Sequence, residues 1–343
     1  MKSIIFIAVF FAFAMLMTSC SGNRLDVDTS GIEVDLDILR IELFLDSVAN
    51  ETVSPSISNM RSHFGSFADD YVEDVLQIGP ADSIASMETL IRFAQIDDTK
   101  ASLAEIAKAH PSSSIDQTEV ALEQAFEHYL YHFPYSEIPQ VSSMYSGFNF
   151  SVYPFNKDHL VVGLDYFLGN DSEIIGRLDP NLFPQYIRDK MEPEYVPTST
   201  IRGWLLIKHQ EHYDPSNLLS SIMYWGKIMY LMDACFTEAS DHLKMDYTAT
   251  DIEWCKQNER NTWIELSHQD VLYQTKRFEI EKWTSEAPFT SAGTIPQDSP
   301  SRLGVWMGWQ IVRDYMNKNP EVSLEELLEE TNYIKLLNAY KPG

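Results

Sequence analysis

The residues best suited by type and spacing to metal chemistry are the two histidines of His209-Gln-Glu-His212. Histidines at i and i+3 on one helix could share a divalent cation through their neutral ring nitrogens. The metalloprotease pattern is different: His-Glu-x-x-His sets the histidines at i and i+4 and supplies the glutamate as general base. Here both the spacing and the glutamate position differ, and Asp214-Pro215 ends the helix at once. A polar helix end is expected, with no metal or cofactor assigned. Gly-x-Ser-x-Gly, the P-loop and Gly-x-Gly-x-x-Gly are absent, and glycine is scarce at 14 residues.

The carboxylates offer less obvious chemistry. Asp165 closes the apolar run His159–Leu164, a position more usual for a turn or cap residue than for a catalytic acid. Glu33, Asp35 and Asp37 alternate with apolar residues, as the solvated face of a strand does. Glu259 is more informative, because it completes the helical stripe of Ile252, Cys255, Trp263 and Leu266. A carboxylate on a core-facing stripe needs a cationic partner or a raised pKa. Arg302, Arg313 and Lys227 are the candidates, each on a neighbouring apolar helix, and a structural ion-pair network is the favoured reading. Trp306 and Trp309 share a helix face with the two arginines; with Asp165 they are candidates for a ligand or partner surface, although indoles at that spacing more often fill a core. Gly304 and Gly308, four apart, would let a neighbouring helix approach closely.

These residues need a scaffold, and the chain is long enough for one. It has 343 residues, 44% hydrophobic and 22% charged, which suits a globular fold with a sizeable core. Fifty-one acids face 25 bases, for a net charge of -26, and this repels phosphate backbones. Nucleic acid is not an expected partner. An apolar run from Ile4 to Met17 follows Lys2-Ser3 and ends in Thr18-Ser19-Cys20. At about 1.5 Å per residue it reaches roughly 20 Å, short of the roughly 30 Å hydrocarbon core. It reads as a secretory signal over residues 1–19. Leu16-Met17-Thr18-Ser19-Cys20 looks like a lipobox, with Met17 where leucine is usual, so Cys20 is the expected lipidation site. Residues 20–30 form the expected tether and 31–343 a single globular domain. Cys235 and Cys255 lie in apolar helical patterns, where buried free thiols are expected ahead of a bridge.

A strand running into a helix is expected over 31–45, helices over 55–133, strands over 141–168, and helices again beyond about residue 179. Asp214-Pro215 should cap a helix whose Leu218, Ile222, Trp225, Met229, Met232 and Phe236 recur at +4 and +3. Leu219, Met223 and Leu231 fill its other faces, so it should be nearly surrounded by protein. Thr250 with Glu253 reads as a capping box, and a further helix should run from about Ser299-Pro300 to Lys318. The fold class is α+β, mostly helical around a small antiparallel sheet.

Several stretches together resemble the gliding-motility lipoprotein GldB family of Bacteroidetes. They are Tyr145-Ser-Gly-Phe-Asn-Phe-Ser-Val152, Val161-Val-Gly-Leu-Asp-Tyr-Phe-Leu-Gly169, Met191-Glu-Pro-Glu-Tyr-Val-Pro197 and Tyr224-Trp-Gly-Lys-Ile-Met-Tyr-Leu-Met-Asp233. Trp254-Cys-Lys-Gln-Asn-Glu259, Ala287-Pro-Phe-Thr290 and the segment from Ser299 to Arg313 follow in the family's order. The resemblance implies an envelope lipoprotein associated with gliding motility, anchored to a membrane through Cys20, with its globular part outside the cytoplasm. It implies envelope protein partners and no established enzymatic activity. The family is also distantly similar to zincin-like proteases; residues 201–208, in the place of their metal helix, carry no ligand pair, so a degenerate, metal-free zincin-like core is implied. Two rivals remain at this point: an envelope hydrolase with a site near Glu259, and a small-ligand binder walled by Trp306 and Trp309.

Overall fold

The computed structural model describes residues 23–343; the apolar leader and Cys20 lie outside them. The α+β class holds, with many helices and one four-stranded sheet. The strands are β1 (Leu39–Arg40), β2 (Gln140–Met144), β3 (Val152–Asn156) and β4 (His159–Gly163), in the order β1-β2-β4-β3. The sheet is mixed rather than wholly antiparallel. β1 pairs parallel to β2, with Leu39 opposite Ser142, and β2 pairs parallel to β4, with Val141 opposite Leu160. Only β3 runs antiparallel, with Val152 opposite Val162. Burial explains the difference: every residue of β4 and all but Gln140 of β2 are buried, the mark of strands covered on both faces. β3 is an edge strand, which is where Pro154 does least harm to a ladder.

Residues 31–38 do alternate between exposed acids and buried Val34, Leu36 and Ile38, yet they form no strand. They lie along the Ser112–His132 helix, whose Glu119 and Glu123 carboxylates accept the backbone N–H groups of Ile38 (2.8 Å) and Leu36 (3.0 Å). The polar segment expected as a tether is docked from Arg24 onward. Leu25 is buried, and the Arg24 guanidinium donates to the carbonyls of Met316 (2.8 Å) and Val322 (2.7 Å). These are carbonyls at and beyond a helix C-terminus, where a cation is favoured.

The core is organised by the Leu218–Cys235 helix, buried along its length except at Trp225. It starts at Asn217, whose side chain accepts from the Ser220 N–H in a capping box, three residues beyond Asp214. Against it lies the Leu303–Lys318 helix, and the two meet backbone to backbone. A Cβ on Gly226 would stand 2.3 Å from the Gly308 carbonyl oxygen, and one on Gly308 would stand 2.0 Å from that of Ile222. The Ala249–Leu266 helix is capped two residues before the expected position, with Thr248 and Asp251 forming the capping box. Cys235 and Cys255 are buried and free, and burial raises both thiol pKa values.

Candidate functional site

The structure separates the four residues expected to form one network. Glu259 is only half-buried and accepts from the Tyr340 hydroxyl (2.7 Å), and no cation among the described residues reaches it. Its helix turns that position toward the C-terminal tail instead of the core. Lys227 is buried and donates to the main-chain carbonyls of Leu328 (2.8 Å) and Glu330 (2.7 Å), and desolvation lowers its pKa to about 8. Arg302 and Arg313 each anchor a separate cluster.

The first cluster is centred on Asp233, at the end of the Leu218–Cys235 helix. Arg313 forks onto it, Nε to Oδ2 and Nη2 to Oδ1, both 2.7 Å. Lys244 adds a bond of 3.0 Å and the Trp309 indole one of 2.8 Å. Arg313 also reaches Asp241 (2.8 Å) and stacks 3.7 Å over the Trp309 ring. Five groups from three helices thus satisfy one another. Sequence reasoning missed Asp233, because a carboxylate amid an apolar helix showed no partner at short range.

The second cluster lines a cleft at the other end of the Leu303–Lys318 helix. Lys190 bridges to Glu286 (2.7 Å), and Ser301 donates to the same carboxylate oxygen (3.0 Å). Arg302 Nε lies 3.1 Å from the other Glu286 oxygen, with its N–H aimed off that oxygen. The Arg302 Nη2 donates to the carbonyls of Met245 and Asp246, and Arg202 pairs with the Asp246 carboxylate at 3.3 Å. Burial, then the Arg302 charge, lowers the Lys190 pKa. Burial would raise the Asp246 carboxyl, but Arg202, Lys190 and Arg302 together hold it below its ordinary value. Asp246 (φ 58°) and Arg302 (φ 57°) are both left-handed without being glycine, and strain of this kind collects at sites the surroundings over-determine. The Lys190–Glu286 bridge lines two small pockets of about 100 and 130 Å³. Drug-sized ligands need roughly 300–1,000 Å³. The segments around Met191, Ala287 and Ser299 that carried the resemblance converge here.

The remaining candidates are internal. Trp306 and Trp309 are buried, with rings packed edge to face at 5.7 Å, so they are core and not pocket walls. Asp165 is fully buried and accepts from the backbone N–H groups of Ser146 (3.0 Å) and Phe148 (2.6 Å) and from the Ser146 hydroxyl. It organises the 145–150 loop, in which Gly147 and Phe148 have positive φ. Burial outweighs those donors and raises its pKa to about 6. His209 is buried against the Tyr129 hydroxyl (3.1 Å), and desolvation lowers it to about 4. His209, Glu211 and His212 each bring one ligand atom within 4.8 Å of the others. The Val196–Lys208 helix lies over β3, with Gly203 against Val152 and Trp204 donating to the Lys157 carbonyl.

Fold and site together define a helical α+β protein whose buried charges cross-link its elements. The family profile described as gliding motility protein GldB matches residues 22–342, and the chain belongs to that family. It is a family of gliding-motility-associated lipoproteins. No curated protein and no solved structure matches the chain. No helix of the described residues is long and apolar enough to cross a membrane.

Proposed function

We propose that this chain is a non-catalytic cell-envelope lipoprotein, anchored through Cys20 with its body outside the cytoplasm, that supports a gliding-motility or related envelope assembly with protein partners. One observation carries the non-catalytic reading. Lys190, Arg202, Arg302, Asp246 and Glu286 are committed to one another and to main-chain carbonyls, so their charge fixes loops in place. A catalytic pair needs a reacting group left free beside a cavity that admits substrate. The family assignment supports the motility role.

Two measurements test this. Cys20→Ala should abolish acyl labelling and shift the protein out of the membrane fraction; unchanged labelling and fractionation would reject the anchor. Glu286→Gln should lower melting temperature, envelope abundance and cellular function together, and a second, stabilising substitution should restore all three. A Glu286→Gln protein that is abundant and stable but inactive would overturn the non-catalytic reading.

A further inference from the structure

On the Ala249–Leu266 helix, the face beside the core-facing stripe opens a pocket of about 270 Å³, larger than those beside Lys190. Trp254, Asn258, Asn261, Thr262 and Glu265 line it from the helix, spaced so that they share one face. The segment Thr294-Ile-Pro296 closes the other side. That segment is fixed by a bond from the Thr294 hydroxyl to the Glu265 carboxylate (2.6 Å) and by Gly293, whose φ of 48° brings its backbone against Glu265.

The polar inventory is distinctive. Thr262 is 1% exposed, and its hydroxyl has no hydrogen-bond partner among the described residues. A threonine inside a helix usually donates back to the carbonyl four residues earlier. The Thr262 hydroxyl oxygen is also closed off from the pocket, so it is a buried unpaired group behind the wall and offers no bond to a bound molecule. Asn258 spends one amide hydrogen on the Trp254 carbonyl (3.0 Å), leaving its carbonyl oxygen as an acceptor. Asn261 is exposed, and its side chain makes no hydrogen bond to another described residue. Trp254 is half-buried and presents an aromatic wall, with Ile264, Ile295 and Pro296 as the other apolar surfaces.

We propose that this pocket binds a neutral pyranose. No lysine or arginine lines it, so a phosphate or carboxylate would meet only Glu265 and a chain of net charge -26. A cation would find one carboxylate, already engaged by Thr294. A purely apolar ligand would cover the Asn258 and Asn261 amides without pairing them. A sugar ring has one face of C–H groups for the indole and a rim of hydroxyls that both donate and accept. That combination matches an aromatic wall flanked by the Asn258 and Asn261 amides and the Glu265 carboxylate. The pocket holds a single ring, so affinity on the order of millimolar is expected for a monosaccharide.

The test titrates the purified chain with glucose, galactose, mannose and N-acetylglucosamine, each to about 10 mM, following the indole ¹H–¹⁵N signals. At least one sugar should move the Trp254 signal saturably and leave those of buried Trp204, Trp306 and Trp309 in place. Trp254→Ala should weaken binding about tenfold or more. Asn261→Ala, an exposed change that leaves folding intact, should weaken it several-fold. No saturable shift with any of the four sugars would overturn the proposal. So would equal affinity in a folded Asn261→Ala protein.

Discussion

Gly308→Ala sets two effects of opposite sign against each other. Alanine is favoured over glycine in a helix interior by about 1 kcal/mol, and on propensity alone the substitution should stabilise the Leu303–Lys318 helix. Geometry opposes it. The new methyl would stand 2.0 Å from the Ile222 carbonyl oxygen, where ordinary contact begins at 3.4 Å. That oxygen belongs to the middle of the buried Leu218–Cys235 helix and cannot turn aside. The helices must part by about 1 Å or more, and a gap of that size forfeits a quarter to a half of each dispersion contact across the seam. Overpacking of this kind costs about 1–3 kcal/mol, and a clash with backbone belongs at the upper end. Net destabilisation of about 2 kcal/mol is expected. Gly176 supplies the control: it lies in the Glu173–Arg177 helix with nothing within 4 Å of its added Cβ. Gly176→Ala should raise stability by up to about 1 kcal/mol. Urea unfolding followed by circular dichroism measures both. A Gly308→Ala midpoint at or above that of the parent chain would refute the backbone-contact argument.

Further tests address the charged groups. Asp233→Ala should cost about 3 kcal/mol or more in urea unfolding, because Arg313 and Lys244 keep their charge and lose their main partner; a loss below about 1 kcal/mol would mean that Asp241 alone suffices. Glu259→Gln should cost only about 1 kcal/mol, since the partner is the neutral Tyr340 hydroxyl, and a loss near 4 kcal/mol would indicate a buried cation after all. Asp165 binds its proton more tightly in the folded chain, at about 6 against roughly 3.9 unfolded, so its contribution to stability falls as pH rises from about 4 to about 6. The stability difference between the parent chain and Asp165→Asn should shrink by about 3 kcal/mol over that range; a difference independent of pH would reject the assignment. Purified protein should carry less than one zinc per chain, because His209-Gln-Glu-His212 has neither the histidine spacing nor the glutamate position of the His-Glu-x-x-His site; stoichiometric zinc lost in His212→Ala would contradict this.

Much of the scaffold was legible because helices write their packing into local periodicity. The Leu218–Cys235 helix showed its all-round burial as apolar residues on every face, and the Gly304/Gly308 pair announced a close helix contact before any partner was known. Caps were misplaced by two or three residues because Thr250 and Asp214 compete with equally good neighbours, Thr248 and Asn217. Strand direction was not legible: β2 and β4 are joined through β3, and only their burial on both faces distinguishes parallel pairing from a meander. The candidate site suffered most. Glu259, Arg302, Arg313 and Lys227 stood out as charges in apolar patterns, yet Glu259 is only half-buried, and the partners Tyr340, Glu286, Asp233 and the Leu328 carbonyl lie 81, 16, 80 and 101 residues away. No periodicity reports such distances.

Arg24 fixes where the chain leaves its own body. Arg24 is four residue steps from Cys20, a leash of at most about 14 Å when fully drawn out. A lipid on Cys20 would therefore hold this protein close against the bilayer, its attachment point set at the C-terminal end of the Leu303–Lys318 helix, where Arg24 grips the carbonyls of Met316 and Val322. That helix is about 24 Å long, and the Lys190–Glu286 cleft lies at its opposite end beside Arg302. On that proposed anchor the molecule would have a mooring and a prow: one guanidinium would decide which end is tied down, and the cleft would sit at the end away from the tie.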